Sequence, residues 1–449
     1  MDEVLCRLSK EVQNRNKRIV QIYGGRERAE NLDKKVIVIV FDGSNEFDFD
    51  TWEGYPLKWK QWRCPPDEGA IVSGREKSES FDEVKVYEIE SLLRDHARLL
   101  FKNHSNLEVS SISAYRSQQN GNILEKQWCI ALYCSCKGVV PLSEEEFPSS
   151  IEGCPTDIRE GFFYWFPNNT GKGFSKNPKD VLQPLVMGCS IGGKDKNLEG
   201  TLGGFVSFEN GAGQERGFIT TAHTFFDQPQ TSSIEIVQPS YGIQNENNVC
   251  GVHVKSVFPT QQDQYGVSVD ASLIKLTERF PDRGTFSGYT VADLSILGFS
   301  KEKPPEYDTD EIRDYRNNKH VNERGNACCK SGTSSGFTKG YLKLNGLAVK
   351  YHDPSIPFSN SPSFCGFHYY SQLEINHLKG LKDFAQAGDS GALVFQIDPQ
   401  GCDKDDKLVC IGMVVGGTSF GTTVVTPIAS VLDELKVKFL PLKLEAMEC

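Results

Sequence analysis

The sequence predicts an α+β module followed by a longer all-β region. Three observations carry this. In the first third of the chain a helix-like apolar face near residues 90–103 sits among short strand-like runs. From about residue 186 short apolar strands alternate with Gly-rich turns, the pattern of a sandwich or barrel. Between them runs a turn-rich stretch opening Pro167-Asn-Asn-Thr-Gly.

The chain has 449 residues, enough for about three domains at one per ~150 residues. Hydrophobic residues at 38% and charged residues at 24% exclude wholesale disorder. The net charge of −11 makes nucleic acid a poor partner and gives no affinity for an anionic membrane. No apolar run reaches the length of about 18 residues that a membrane span needs. The first ten residues are charged and lack the apolar core of a secretory leader, which predicts a cytoplasmic location. The 14 cysteines are scattered, Cys328 and Cys329 are adjacent, and no pair has C-x-x-C spacing. They read as reduced, buried, small apolar residues, with neither a metal nor another cofactor expected.

Residues 1–34 read as an N-terminal helical or flexible segment, with Leu5, Leu8 and Val12 at helical spacing. The α+β module spans 35–166. Val36-Ile-Val-Ile-Val-Phe41 is a buried strand stopped by Asp42-Gly43, and 84–89 alternates like another. A helix near 90–103 takes its apolar face from Leu92, Leu93, Ala97, Leu99 and Leu100. Strands near 110–116 and 129–136 flank the turn signal Gln-Gln-Asn-Gly-Asn. The aromatics Phe47, Phe49, Trp52, Tyr55, Trp59 and Trp62 read as core packing in preference to a peptide-binding face. Glu144-Glu-Glu146 reads as a solvated loop or helix start. A linker is expected at 167–185, where Asn168-Asn169-Thr170 fits a glycosylation acceptor but, without a secretory route, reads as an ordinary loop. The β region covers 186–440, with one half at about 186–300, a polar connector at 301–326 and a second half at about 327–436.

Three segments of the β region belong together: Gly217-Phe-Ile-Thr-Thr-Ala-His223, Val269-Asp270-Ala-Ser-Leu-Ile-Lys-Leu276 and Ala387-Gly388-Asp389-Ser390-Gly391. Each sets a polar reactive residue beside an apolar strand. A serine hydroxyl is hardly ionised at neutral pH and needs a neighbouring base. Histidine can take that proton and return it to a leaving amine. A buried carboxylate fixes the imidazole tautomer and stabilises the imidazolium. The candidate catalytic residues are therefore His223, Asp270 and Ser390, with Asp263 a nearby alternative to Asp270. The backbone N–H groups of Gly388 and Ser390 are candidates for an oxyanion hole. His253, His320, His352, His368 and His377 lack a companion motif and read as packing or surface residues.

These motifs resemble those of the chymotrypsin-like (trypsin-like) serine peptidases, which use the same His, Asp, Ser order. The resemblance covers roughly 186–436 and implies a double β-barrel, with Val431-Leu-Asp-Glu-Leu435 opening the closing helix. It departs from the secreted members: Thr224 stands where they carry a Cys, and no Ile-Val-Gly-Gly activation site precedes His223 at the right distance. Their freed amino terminus pairs with the acid before the nucleophile, and Asp389 has no such partner in the sequence. Gly200-Thr-Leu-Gly-Gly-Phe-Val206 and Cys329-Lys-Ser-Gly-Thr-Ser-Ser-Gly-Phe-Thr-Lys-Gly340 resemble an intracellular, disulfide-independent branch. Lys137-Gly-Val-Val-Pro and 151–158 resemble the small module that precedes the peptidase there.

By motif spacing Phe384 and Ala385 lie before the nucleophile, and Val415 and Gly416 after it, as walls of the substrate pocket. Phe384 at its base implies a shallow or apolar pocket, whereas Asp383 in that place would reverse the preference. The expected function is a serine endopeptidase acting on protein or peptide, with latency and control by a regulatory protein partner through the N-terminal module as a further expectation. The alternative is a non-catalytic scaffold or sensor that binds a protein partner.

Overall fold

The computed structural model describes residues 1–14, 18–29, 32–43, 49–63, 67–76, 83–118, 121–166, 181–194, 199–211, 213–226, 234–240, 248–281, 306–316, 327–352, 366–378, 381–398 and 407–440. The chain is predominantly β and divides into two compact units that are not contiguous in sequence. One holds Met1–Tyr164, Gly346–Tyr370 and Thr418–Gly421; the other holds Trp165–Asn345, Ser371–Gly417 and Thr422–Cys449.

In the first unit the strand Leu32–Asp42 lies between Arg18–Ala29, antiparallel to it, and Tyr55–Gln61, parallel to it. Val36 to Val40 are fully buried, because a strand covered on both faces has no room for alternation. The helix Asp2–Asn14 buries Leu8 and Val12 against Ile19, Ile22, Ile37, Ile39 and Leu57. Phe49, Trp52, Tyr55 and Trp59 pack on the same cluster, so these aromatics are core. Phe47 lies outside the described residues.

Two expectations are corrected here. Arg18–Ala29, expected as helical or flexible, is a strand, because Ile19 and Ile22 bury against the sheet once Leu32–Asp42 offers a partner edge. Residues 84–89 are not a strand but the first turns of a helix, Glu83–Asn103. Val86, Ile89, Leu93, Ala97 and Leu100 form one buried stripe, and a 3.6 period over 21 residues outweighs a short alternation. The helix packs on Leu107–Ser113, which runs antiparallel to Cys129–Cys134, itself parallel to Cys154–Glu160. Arg159 is buried and hydrogen-bonds Asp157, Tyr133, Ser113 and the Tyr115 carbonyl, so each of its three guanidinium nitrogens has a partner.

Two sets of antiparallel strands account for most of the second unit; within them Gly346–His352, Gly366–Tyr370 and Thr418 belong to the first unit. The first set is an eight-stranded row ordered Gly200–Thr201, Ser190–Gly193, Glu235–Val237, Val249–Val257, Ala271–Leu276, Gly213–Thr220, Phe205–Asn210, Lys438–Phe439. In the second, six strands pair in a closed ring: Gly336–His352, Ala327–Gly332, Leu393–Asp398, Lys407–Thr418, Thr422–Pro427, Gly366–His377 and back to the first. Closing a sheet on itself removes the unpaired edges that would otherwise template aggregation. The helix Ile428–Leu435 follows, buried by Ile428, Val431, Leu432 and Leu435. Within the expected connector 301–326, Glu306–Ile312 forms a strand parallel to Lys407–Thr418. Its polar sequence suits a strand at the margin of a sheet, where charge is tolerated.

The buried cysteines behave as small apolar groups. Burial pushes the thiols of Cys129, Cys189 and Cys328 up to about 12 and that of Cys136 up to about 11, far from the thiolate form that reacts. Among the described residues no helix is long and apolar enough to cross a membrane, and no His, Cys, Asp or Glu cluster has a metal-holding arrangement.

Candidate active site

His223 sits in a single 3-10 turn, Ala222–Thr224, directly after the strand Gly213–Thr220. Asp270 immediately precedes Ala271–Leu276, which pairs with that strand from Gly217↔Lys275 to Thr220↔Ser272. The register brings the carboxylate to the turn. Asp270 Oδ1 accepts the N–H groups of Ala222 at 2.7 Å and His223 at 3.2 Å, and Oδ2 lies 2.6 Å from His223 Nδ1. An acceptor with three N–H partners fits an ionised carboxylate and fixes the imidazole proton on Nδ1. Nε2 then faces Ser390 Oγ at 2.8 Å. The side chains of His223 and Asp270 have no exposure, and Ser390 is fully buried.

Asp263, the alternative acid, is elsewhere. Its carboxylate accepts the N–H groups of Tyr265 and Val267 and the Ser430 hydroxyl, closing a local turn. His253 meets Ser256, and His352 meets Glu108. His320 lies outside the described residues.

Ser390 sits on a turn held from several sides. Thr201 N–H donates to the Ser390 carbonyl at 2.8 Å, Thr201 Oγ1 to the Gly388 carbonyl at 2.8 Å, and Gly391 N–H to the Val414 carbonyl at 2.9 Å. Gly391 has φ +95°, and a Cβ there would overlap Thr220 and the Thr201 carbonyl, so both conformation and space require glycine.

Asp389, for which the sequence offered no partner, faces Lys330 Nζ at 3.0 Å, and neither side chain has any exposure. The same carboxylate accepts the N–H groups of Ser334, Ser335 and Gln386 and the Ser335 hydroxyl. Burial pushes the Lys330 pKa down, and Asp389 beside it pulls the other way. Lys330 is the residue that motif reading passed over. Its signal was present: it is the one cation in the run Cys329-Lys330-Ser-Gly-Thr-Ser-Ser-Gly.

Phe384 and Ala385 are buried, and the Phe384 carbonyl accepts the Thr338 hydroxyl at 2.6 Å. The Lys330 ammonium stands 6.0 Å from the centre of the Phe384 ring. Asp383 points away, its side chain 65% exposed, so the chain turns the phenyl ring inward and leaves the carboxylate in water. The Val415 carbonyl accepts from Ser390 Oγ at 3.0 Å. The serine has one hydroxyl proton, so this bond competes with the one to His223. Gly416 lies in the strand Lys407–Thr418, opposite Val424.

Two further residues meet this group and carried no functional reading from the sequence. The indole of Trp165 stacks flat on the His223 ring, centroids 4.5 Å apart and planes 10° apart. The carbonyl of Phe166 accepts the N–H of Gly388. A Cβ on Gly417 would overlap the Phe166 ring, with Cε1 at 2.8 Å, so that ring lies directly on the Gly417 backbone.

No protein-family model matches the chain, and no curated protein matches it. Among solved structures, protease A of Thermobifida fusca is similar over 57% of this chain and 98% of its own, at 16% identity and a TM-score of 0.34. A glutamic acid specific serine protease is similar over 57% and 100%, at 16% identity and a TM-score of 0.35. A chymotrypsin of Cellulomonas bogoriensis is similar over 57% and 98%, at 15% identity and a TM-score of 0.33.

Proposed function

We propose that the chain is a trypsin-like serine endopeptidase acting on protein or peptide substrates. The observation that supports it best is the unbroken row Asp270–His223–Ser390, with steps of 2.6 and 2.8 Å. In this reading His223 Nε2 takes the Ser390 proton as Oγ attacks a peptide carbonyl. Asp270 holds the ring and stabilises the imidazolium. The N–H groups of Gly388 and Ser390 receive the developing oxyanion; one such donor is worth about 3–4 kcal/mol of barrier. The imidazolium protonates the leaving amine, and water then hydrolyses the acyl-enzyme by the same route in reverse. Phe384, Ala385, Val415 and Gly416 line the pocket for the residue on the acyl side of the cut.

A fluorophosphonate probe tests this. Incubated with the full chain and with a Phe166→Gly chain, it should modify Ser390, located by mass spectrometry, and leave Ser390→Ala untouched. Absence of labelled Ser390 in both folded proteins overturns the peptidase reading.

A further inference from the structure

We propose that Trp165-Phe166 is a substrate mimic carried by the chain itself, with Phe166 in the P1 position, and that the site therefore prefers substrates with an aromatic P1 residue. This rests on the peptidase reading and deepens it.

Three contacts place Phe166 as a P1 residue would lie. Its carbonyl takes the N–H of Gly388, the donor that a scissile carbonyl would take. Its ring lies on Gly417, one residue beyond the pocket residues Val415 and Gly416. The residue before it, Trp165, covers the His223 ring face to face. Trp165 and Phe166 are each 5% exposed, and Ser390 is 0% exposed. With the segment seated, neither a second carbonyl nor a second side chain has room at these groups. The depth that accepts a phenyl ring is thus displayed by the chain's own residue, and Gly417 is what leaves space for it. Any side chain there would displace Phe166.

The sequence explains why such a mimic survives beside a serine and a histidine. The residue bonded to the Phe166 carbonyl carbon is Pro167. Its nitrogen carries a ring carbon in place of hydrogen, which obstructs proton delivery from the imidazolium to the leaving nitrogen. Replacing Pro167 by alanine removes that obstruction. Ser390 Oγ then attacks the Phe166 carbonyl carbon and its proton passes to His223. The bond from Phe166 to residue 167 breaks as that proton moves to the leaving nitrogen, and water releases the acyl group as the Phe166 carboxylate.

The test uses the full-length wild-type chain, Phe166→Gly and Pro167→Ala, each checked for folding by circular dichroism. Fluorophosphonate labelling of Ser390 should be at least tenfold faster in Phe166→Gly than in wild type. On peptide anilides differing only at P1, Phe166→Gly should prefer Phe over Arg and Glu by at least tenfold in kcat/KM. Pro167→Ala alters none of the residues named in the contacts above and should cut itself after Phe166, seen by mass spectrometry and abolished by Ser390→Ala. The proposal is overturned if Phe166→Gly labels no faster than wild type, if Arg or Glu is preferred at P1, or if a Pro167→Ala chain with a labelled Ser390 stays whole. Failure of Ser390 to label in all three chains overturns the peptidase reading instead.

Discussion

Asp270 and Asp389 are both carboxylates without solvent exposure, and they are satisfied in opposite ways. Asp270 accepts two backbone N–H groups and one imidazole N–H. Asp389 accepts a full ammonium from Lys330, three backbone N–H groups and a hydroxyl. A buried carboxylate facing neutral donors retains negative potential that a neighbour can use when it gains charge. One paired with a buried ammonium is a structural anchor. In the proposed mechanism the first stabilises a charge that comes and goes on His223. The second holds the turn carrying Gly388 and Ser390 whatever the state of the reaction.

Four substitutions test that contrast. Asp270→Asn, made in the Phe166→Gly background, should lower kcat on peptide anilides by about 10⁴-fold while leaving the fold intact, because an amide can hold the wrong tautomer of His223. A small kcat effect would mean that Asp270 is merely structural and that the contrast is false. Lys330→Met should cost about 3–5 kcal/mol in urea unfolding, since it strands the Asp389 charge in the interior; Ser390 labelling should fall with it. Unchanged stability would break the anchor half of the comparison. Gly391→Ala should cost about 1–3 kcal/mol from the left-handed backbone alone, read as a lower urea midpoint, with the overlap on Thr220 adding to it. Asp383→Asn should shift stability by no more than about 0.5 kcal/mol and leave P1 preference unchanged, because this carboxylate is 65% exposed. A changed preference would return Asp383 to the pocket.

What could be read from sequence depended on how local the physics was. Val36 to Phe41, the helix after residue 90 and the β character beyond 186 declare themselves through period and turn residues, and these lie within one element. Residues 84–89 misled because six residues of alternation fit a strand as well as the first turns of a helix, and only the buried stripe from Val86 to Leu100 decides. Arg18–Ala29 misled because its burial depends on a partner strand. His223, Asp270 and Ser390 could be singled out since each lies beside a strand in a recognisable string. Lys330 was quoted within a string but given no role, for its partner stands 59 residues away. Trp165 and Phe166 were assigned to the module before the linker, because nothing in a Trp-Phe-Pro string says which ring or carbonyl group it will meet.

The amino-acid order alone set the local alternatives: which segments form strands or helices, and which hydroxyl, imidazole and carboxylate were available for chemistry. Tertiary structure decided the pairings between distant residues, namely Asp270 over Asp263 for His223, Lys330 for Asp389, the Phe384 ring inward with Asp383 outward, and the Phe166 carbonyl for the Gly388 N–H. The reason is that a hydrogen bond or ion pair gains its strength from burial and from geometry fixed to a few tenths of an ångström, and both arise only when segments far apart in the chain fold together.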